Sequence, residues 1–250
     1  MHMSRIAVAA IVLSMGAAAC SGAEAETAAT TTSPPTTAPP TTTTTDEVPL
    51  RVTPRSYEDY RNQPTACGVG QPAPVVEMTF DGPEQVELNP ESTQAIIATS
   101  CGDIVIELDV AGAPETVNSF VFLAEQGYYA GSASHRIVPD FVIQAGDPTA
   151  TGRGGPGYFI GDEFPEDGFL YERGVVAMAN AGPETTGSQF FLVLADSALP
   201  PQFNVLGRVV EGLDVMDTIA TVELTRGAGA DPLPSTPLES VYVESVTILR

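Results

Sequence analysis

Residues His135–Asp147 read H-R-I-V-P-D-F-V-I-Q-A-G-D and contain the strongest structural signal in the chain. An unbroken β-strand alternates its side chains between two faces, so Arg136 and Phe141 would point to opposite sides. Pro139 lacks the N–H that a sheet ladder needs, and it is tolerated only at edges, bends and bulges. We therefore predict two short strands joined by a kink at Pro139-Asp140, which lets a guanidinium stand beside an aromatic ring. On this stretch alone, an ordinary bent strand with one surface arginine fits equally well.

A second β-rich stretch, Val175–Leu194, reads V-V-A-M-A-N-A-G-P-E-T-T-G-S-Q-F-F-L-V-L. A loop rich in glycine, proline and threonine separates its two β-like runs. In the second run, Gln189, Phe191 and Val193 share one face and alternate with apolar residues on the other. One face can therefore fill a core, which leaves the other available for binding.

Periodicity and turn residues predict further elements along the chain. Strands are expected at Gln94–Thr99, Ile104–Leu108, Val205–Val210 and Val241–Leu249, a strand-like run at Val75–Phe80, and helices at Pro114–Gln126 and Leu213–Ala220. A turn at Ser100–Asp103 makes the first two strands a hairpin. Many short strands, two helices and turns rich in glycine and proline suggest a closed β-barrel.

Together, the two quoted stretches resemble the signature of the cyclophilin-type peptidyl-prolyl cis-trans isomerases. Gly152–Tyr158 and Leu199–Val209 continue the match, and the similarity runs from about Thr93 to the C-terminus. The resemblance implies a mainly β fold, a closed eight-stranded antiparallel β-barrel with two capping helices. Composition predicts a disordered tether before it. It also implies an enzyme without cofactor or metal that acts on proline-containing polypeptides.

The resemblance also implies roles for individual residues. Arg136 matches the family's catalytic arginine, and Gln144 matches the glutamine that orients it. Phe141, the third implied catalytic residue, matches part of the apolar wall for the proline ring. The implied substrate-binding residues form an apolar wall for the proline ring and a groove for the residues before it: Val142, Ala179, Asn180, Ala181, Gln189, Phe191, Leu199 and Phe203. Val142 and Phe203 depart from the methionine and histidine that many members have. From residue type alone, Phe141 and Phe191 fit a plain barrel core as well as a pocket.

Peptidyl-prolyl isomerisation requires a twisted amide and breaks no covalent bond. The twist must overcome a barrier of about 18–20 kcal/mol. In the twisted state the prolyl nitrogen regains a lone pair, to which a guanidinium can donate a hydrogen bond that is weak in the ground state. The chemistry therefore needs a group such as Arg136 and an apolar pocket, with neither nucleophile nor metal.

Composition argues against several other classes of protein. The chain has no lysine, which removes Walker-type phosphate loops and Schiff-base chemistry. Its only histidines, His2 and His135, are too few for a conventional zinc site, and no G-x-S-x-G motif accompanies them. The net charge of -22 argues against nucleic acid as a partner. Gly152–Gly157 matches a dinucleotide fingerprint, but Pro156 and the residues after it do not open a helix.

The N-terminal region predicts export. Residues 1–20 have the charged, apolar and small-residue zones of a secretory signal, and Cys20 follows small residues, which resembles a bacterial lipoprotein cleavage site. We expect lipid anchoring through Cys20 at the extracytoplasmic face of the cell membrane, with simple secretion as the alternative. Residues 21–45, rich in threonine and proline, form a predicted disordered linker. An N-terminal extension at 46–91 and an isomerase domain at 92–250 follow, and we expect a monomer.

Two cysteines remain once Cys20 is set aside. Cys67 lies in the extension and Cys101 in the turn at Ser100–Asp103. Outside the reducing cytosol, a disulfide between them is the simplest pairing, and it would staple the extension to the hairpin turn. Two buried free thiols are the alternative.

These observations lead to one expected function and one rival. We expect an isomerase that assists the folding of exported proteins at slow X-Pro steps. The rival is a non-catalytic module at the cell surface that binds proline segments or acts as a chaperone. The presence of both Arg136 and Gln144 favours the enzyme.

Overall fold

The computed structural model describes residues 53–227, 231 and 233–250, all of which belong to one compact unit. The predicted signal at 1–20, the predicted linker at 21–45 and the predicted lipidation of Cys20 lie outside the described residues. None of the helices in the described ranges has the length and apolar character needed to cross a lipid bilayer.

Short antiparallel strands make up most of the structure. They are β1 Gln94–Thr99, β2 Gly102–Leu108, β3 Ser132–Ala133, β4 Arg136–Val138, β5 Val142–Ala145, β6 Val175–Met178, β7 Phe190–Val193, β8 Val205–Glu211, β9 Leu224–Thr225, β10 Thr236–Pro237 and β11 Tyr242–Leu249. The helices are α1 Tyr57–Arg61, α2 Pro114–Glu125 and α3 Leu213–Ala220, with a short 3-10 turn at Ala66–Gly68. The barrel strands and the two helices predicted from periodicity match the observed strands and the observed α2 and α3 to within two residues at each end.

Nine of the strands form one sheet, in the order β3-β11-β1-β2-β8-β6-β7-β5-β4. β3 and β4 lie at its opposite edges, yet only Ser134 and His135 separate them along the chain. The sheet must therefore curl until its edges nearly meet, which produces the barrel. The predicted mainly β, antiparallel barrel-like fold is confirmed. The predicted count of eight strands differs, because residues 132–138 are divided in two and pair with β11 on one side and β5 on the other.

The barrel core is apolar and is covered by α2. The alternation of β1 and β2 buries Ile97, Ile104 and Ile106, and Phe120 of α2 packs edge-on against Phe190 of β7 with ring centroids 5.9 Å apart. Pro114 begins α2 at a position where its missing N–H costs nothing. The free N–H groups of the first turn donate to the carboxylate of Glu163, from Glu115 at 2.9 Å and from Thr116 at 2.7 Å.

The described part of the extension packs on the barrel. α1 begins after Ser56, whose hydroxyl accepts a hydrogen bond from Asp59 N, and its Tyr60 is buried against the barrel wall. The expected strand-like run at Val75–Phe80 is wrong, because that segment belongs to no strand. Its N–H groups bind singly: Val75 N donates to the hydroxyl of Tyr57, and Phe80 N donates to the carbonyl of Pro156, both at 2.8 Å. No strand in the described ranges pairs with this run, so it has no ladder to join.

A disulfide bond joins Cys67 of the 3-10 turn to Cys101 of the β1–β2 turn, with Cα atoms 5.2 Å apart. The predicted pairing is confirmed, and the free-thiol alternative is wrong. The bond connects the extension to the barrel next to Ala66, whose N–H donates to the carbonyl of Ser240 at 2.9 Å.

Replacing both Cys67 and Cys101 with serine should lower the free energy of unfolding by about 2–4 kcal/mol, because the bond closes a long loop in the unfolded chain. The residues that it joins are 34 apart in sequence. Urea denaturation of the oxidised protein and of the double variant measures the difference. Reduced wild-type protein serves as the control and should match the variant; equal stability of all three samples would contradict the prediction.

Candidate active site

A tight hairpin brings the predicted catalytic residues together. β4 pairs with β5 so that Arg136 lies directly opposite Gln144. Phe141 N donates to the carbonyl of Val138 at 3.0 Å, which closes a turn around Pro139 and Asp140. Asp140 has φ 58°, and proline followed by a positive φ is typical of a type II turn. The predicted kink at Pro139-Asp140 is confirmed.

Three groups hold the guanidinium of Arg136. Asp231 accepts hydrogen bonds from Nε at 2.8 Å and from Nη2 at 2.7 Å, and Gln144 Oε1 accepts from Nη1 at 3.3 Å. The guanidinium carbon lies 5.7 Å from the ring centroid of Phe141, within the range of a cation–π contact. The side chain keeps 28% of its surface exposed, so it remains accessible to a ligand.

A relay of side-chain amides continues from Arg136 into the neighbouring loop. Gln144 Nε2 donates to Gln189 Oε1 at 2.9 Å, and Gln189 Nε2 donates to the carbonyl of Gly154 at 3.0 Å. Each glutamine accepts a hydrogen bond through its amide oxygen and donates one through its amide nitrogen. The relay therefore defines which way both side-chain amides face. Hydrogen bonds in such a chain also polarise one another.

Most of the predicted apolar site residues lie in one cluster beside Arg136. The cluster contains the predicted Phe141, Val142, Ala179, Phe191, Leu199 and Phe203, and also the unpredicted Phe169 and Tyr171. Phe191 and Phe203 meet edge-on with ring centroids 5.4 Å apart. The hydroxyl of Tyr171 donates to the carbonyl of Phe203 at 2.9 Å and accepts from its N–H at 3.2 Å. Tyr171 thereby holds the backbone that presents Phe203.

An open cleft of about 560 Å³ adjoins this cluster. Its lining includes the predicted Gln144, Ala179, Asn180, Ala181 and Gln189, together with the glycine-rich segment Gly152–Phe159. The predicted site residues therefore fall in two halves, an apolar wall and a cleft, which share Ala179 and meet at the amide relay. The structure brings these residues together, and their roles toward a ligand remain predictions.

Asp147 organises the glycine-rich wall of the cleft. It is fully buried, and its carboxylate accepts five hydrogen bonds, from the N–H and hydroxyl of Thr149 and from the N–H groups of Thr151, Arg153 and Gly154. Burial by itself would raise the pKa of Asp147, but the hydrogen bonds from Thr149 and Gly154 outweigh it and the pKa is lowered. The wall is thus built around an ionised carboxylate.

The extension supports the same wall at both ends. Tyr57 N donates to the carbonyl of Thr149 at 2.9 Å, and Phe80 N donates to the carbonyl of Pro156 at 2.8 Å. Gly157 has φ 96°, and a Cβ atom there would lie 2.9 Å from the carbonyl oxygen of Phe80. A glycine is therefore required where the extension crosses the wall.

His135 is half-buried beside this loop, and both of its ring nitrogens are inaccessible to solvent. Burial lowers the pKa of its imidazole to about 4, because the charged ring would lose hydration, and the nearby charge of Asp147 opposes this effect without cancelling it. Neither ring nitrogen has a hydrogen-bond partner within the described ranges. The folded protein therefore holds His135 neutral.

Acid should destabilise the protein through His135. Its pKa falls from about 6.5 in the unfolded chain to about 4 in the folded one, so the unfolded state binds more protons between these values. The stability is therefore intact above pH 6.5 and declines as the pH falls below it. Between pH 6.5 and pH 5 we expect a loss of about 1.6 kcal/mol in the free energy of unfolding. Urea denaturation across this range measures it, and a His135→Gln variant, as the control, should show a flatter profile. Equal slopes in both proteins would contradict the assignment.

Four residues that shape this site were missed from the sequence: Asp147, Phe169, Tyr171 and Asp231. Asp147 followed by Pro and Thr carries a local turn signal that could have identified it. Asp231 lies 95 residues from Arg136, and no short-range pattern joins them. Tyr171 resembles any aromatic core residue until its hydroxyl contact with Phe203 is known.

Comparison with known proteins agrees with this geometry. A model of the family described as "Cyclophilin type peptidyl-prolyl cis-trans isomerase/CLD" matches residues 95–248. Probable peptidyl-prolyl cis-trans isomerase B of Mycobacterium leprae is 39% identical over 179 residues, which cover 66% of this chain and 59% of that protein. The protein of the same name from Mycobacterium tuberculosis H37Rv is 41% identical over 167 residues, 61% of this chain and 54% of that protein.

Solved structures point the same way. The crystal structure of a cyclophilin type isomerase from Cryptosporidium parvum has a TM-score of 0.56 and 29% identity, covering 64% of this chain and 98% of its own.

The chain spans between 54% and 59% of the length of the two mycobacterial relatives. Because the family match takes in more than half of the 250 residues, including the hairpin that carries Arg136 and Gln144, this protein belongs to the cyclophilin-type peptidyl-prolyl cis-trans isomerase family.

Proposed function

We propose that this chain is a peptidyl-prolyl cis-trans isomerase that acts on proline-containing segments of exported proteins and works as a monomer outside the cytoplasm. The observation that carries the proposal is the guanidinium of Arg136, oriented by Gln144 at 3.3 Å next to an apolar wall that includes Phe191 and Phe203. This combination meets the two needs of the reaction, a grip on the proline ring and a donor for the prolyl nitrogen.

In the proposed mechanism, the proline ring packs against the wall formed by Phe141, Phe191 and Phe203. As the amide twists, its nitrogen becomes pyramidal and regains a lone pair. Arg136 donates a hydrogen bond to that lone pair, and this bond is weak in the planar ground state. The donor is held in place before the reaction, so little reorganisation is needed at the moment of twisting.

The residues before the proline would lie in the adjoining cleft, along Ala179, Asn180 and Ala181. Asn180 is held by its own contact, since its Nδ2 donates to the carbonyl of Gln202 at 2.7 Å. A cyclophilin type isomerase from Cryptosporidium parvum has been solved in the presence of the dipeptide ala-pro. The same kind of ligand is the smallest one to test here.

The decisive experiment is an exchange measurement by NMR, or a protease-coupled assay, on a short peptide with one X-Pro bond. Without a catalyst, cis-trans exchange takes about tens to hundreds of seconds. An isomerase increases the rate of this exchange in proportion to the enzyme concentration. The rival, a non-catalytic proline-binding or chaperone-like module, would bind the peptide and leave that rate unchanged. Binding without acceleration by the wild-type protein would reject the proposed activity.

The proposed location rests on residues 1–20 and on the disulfide between Cys67 and Cys101, a bond favoured outside the reducing cytosol. We propose that Cys20 is lipidated and anchors the protein at the extracytoplasmic face of the membrane. In a bacterial host, wild-type protein should incorporate labelled fatty acid and sediment with membranes. Cys20→Ala should abolish the labelling, and unlabelled wild-type protein in the medium would support simple secretion instead.

A further inference from the structure

The ion pair between Arg136 and Asp231 differs in geometry from the other arginine–carboxylate pairs in the described ranges. Asp231 takes two hydrogen bonds from Arg136, and the two side chains are 28% and 19% exposed. The pair Arg173–Asp217 has exposures of 34% and 63%, and it is joined by one bond at 2.8 Å. A two-point contact between planar groups fixes orientation as well as distance, which a single surface contact does not.

Asp231 is itself held in place by the strand that carries Arg136. Ser235 Oγ donates to Asp231 Oδ2 at 2.7 Å. The carbonyl of Ser235 accepts from Ile137 N of β4 at 2.8 Å, and Ser235 N donates to the carbonyl of Thr225 at 3.1 Å. Ser235 is only 5% exposed. The carboxylate is therefore attached, through one serine, to the residue next to Arg136.

The contacts of Arg136 leave part of its guanidinium free to act. An arginine side chain has five N–H groups in one plane. Asp231 takes one from Nε and one from Nη2, and Gln144 takes one from Nη1. One N–H on each terminal nitrogen is left for a ligand. Asp231 and Gln144 hold the guanidinium plane at three N–H groups, so the directions of the two free N–H groups are fixed before a ligand binds.

We propose that Asp231 is a positioning residue for the isomerisation: it holds the guanidinium of Arg136 in the plane from which its free N–H groups meet the prolyl nitrogen. This inference rests on the proposed function. An arginine without such a partner samples many rotamers and must be ordered during the reaction. Catalysis by a preorganised donor is lost when that donor is displaced, and a misplacement of about 1 Å can reduce a rate as much as a hundredfold.

The same geometry also allows Asp231 to slow the reaction, because its carboxylate would then compete with the substrate for the guanidinium of Arg136. The two roles predict opposite changes in rate. A positioning residue increases kcat, so its loss slows the enzyme. A competing residue weakens substrate engagement, so its loss speeds the enzyme or lowers KM.

The test uses Asp231→Asn in the full chain and measures kcat and KM on an X-Pro peptide by NMR exchange. Asparagine keeps the shape but cannot accept both bonds, so kcat should fall about tenfold while KM stays within about twofold. Asp231→Glu, which keeps the carboxylate, should recover part of the loss. The matched control is Asp217→Asn, the same change at the Arg173 pair, which should leave both constants unchanged.

A second readout does not depend on activity. In the wild-type protein the Nε–H of Arg136 donates to a carboxylate, so its exchange with water should be slow, and Asp231→Asn should accelerate it by at least about threefold. A kcat within twofold of wild type, or a faster enzyme, would overturn the inference. An unchanged exchange rate would overturn it as well. An inactive wild-type protein would instead reject the proposed function, so the two failures are distinguishable.

Discussion

Replacing Arg136 with alanine should lower kcat/KM for an X-Pro peptide by about ten- to a thousandfold, where each tenfold corresponds to roughly 1.4 kcal/mol. Alanine removes the donor that stabilises the twisted amide, and it leaves the apolar wall of Phe191 and Phe203 in place. Peptide affinity should therefore change little. The measurement is the rate of cis-trans exchange as a function of peptide concentration, together with a separate titration of binding.

Two further variants sharpen this experiment. Arg136→Lys keeps the positive charge but loses the planar fork that Asp231 and Gln144 hold, so it should remain close to the alanine variant. Arg208→Ala removes an exposed arginine that pairs with Glu172 and should retain full activity. If Arg136→Ala were as active as wild type, the proposed mechanism would be wrong.

Asp147→Asn should lower the free energy of unfolding by about 3–5 kcal/mol, an unusually large effect for an isosteric change. Oδ1 accepts two hydrogen bonds and Oδ2 accepts three. An asparagine NH₂ group must replace one of these oxygens, and in either orientation it faces N–H groups that cannot accept from it. Buried donors would then lack partners at the centre of the cleft wall.

Urea denaturation at pH 7 measures this loss, and hydrogen exchange should show faster opening of the amides of Thr149, Thr151 and Gly154. The matched control is Asp109→Asn, since Asp109 is exposed and its carboxylate accepts one hydrogen bond, from Gly112 N at 2.9 Å. That variant should lose less than about 1 kcal/mol. A loss equally small in Asp147→Asn would contradict the view that this carboxylate organises the wall.

Local elements could be predicted because their causes are local. α3 begins at Leu213 and ends at Ala220, as the sequence predicts, and β1 also has its predicted first and last residues. Side-chain periodicity over five to eight residues is enough to define such elements. The hairpin of Arg136 and Gln144 belongs to the same class, since one proline and the parity of the side chains require its turn.

Features that depend on pairing across the chain were predicted less well. The expected count of eight strands does not allow for the break within residues 132–138, whose two ends hydrogen-bond to different neighbours, β11 and β5. The run Val75–Phe80 has the composition of a strand, but whether it joins a ladder depends on a free sheet edge beside it. Sequence periodicity contains no information about that neighbour.

The amino-acid sequence alone was sufficient for the family, the barrel class, the hairpin of Arg136 and Gln144, and the pairing of Cys67 with Cys101, since each rests on a motif, a short period or a count of residues. The tertiary structure was needed for Asp231 and for the support that the extension gives to the cleft wall. Asp231 reaches Arg136 across 95 residues, and Phe80 reaches Pro156 across a fold that must first close. Contacts of this kind depend on where the barrel brings distant segments, because a hydrogen bond requires atoms within about 3 Å whatever their separation along the chain.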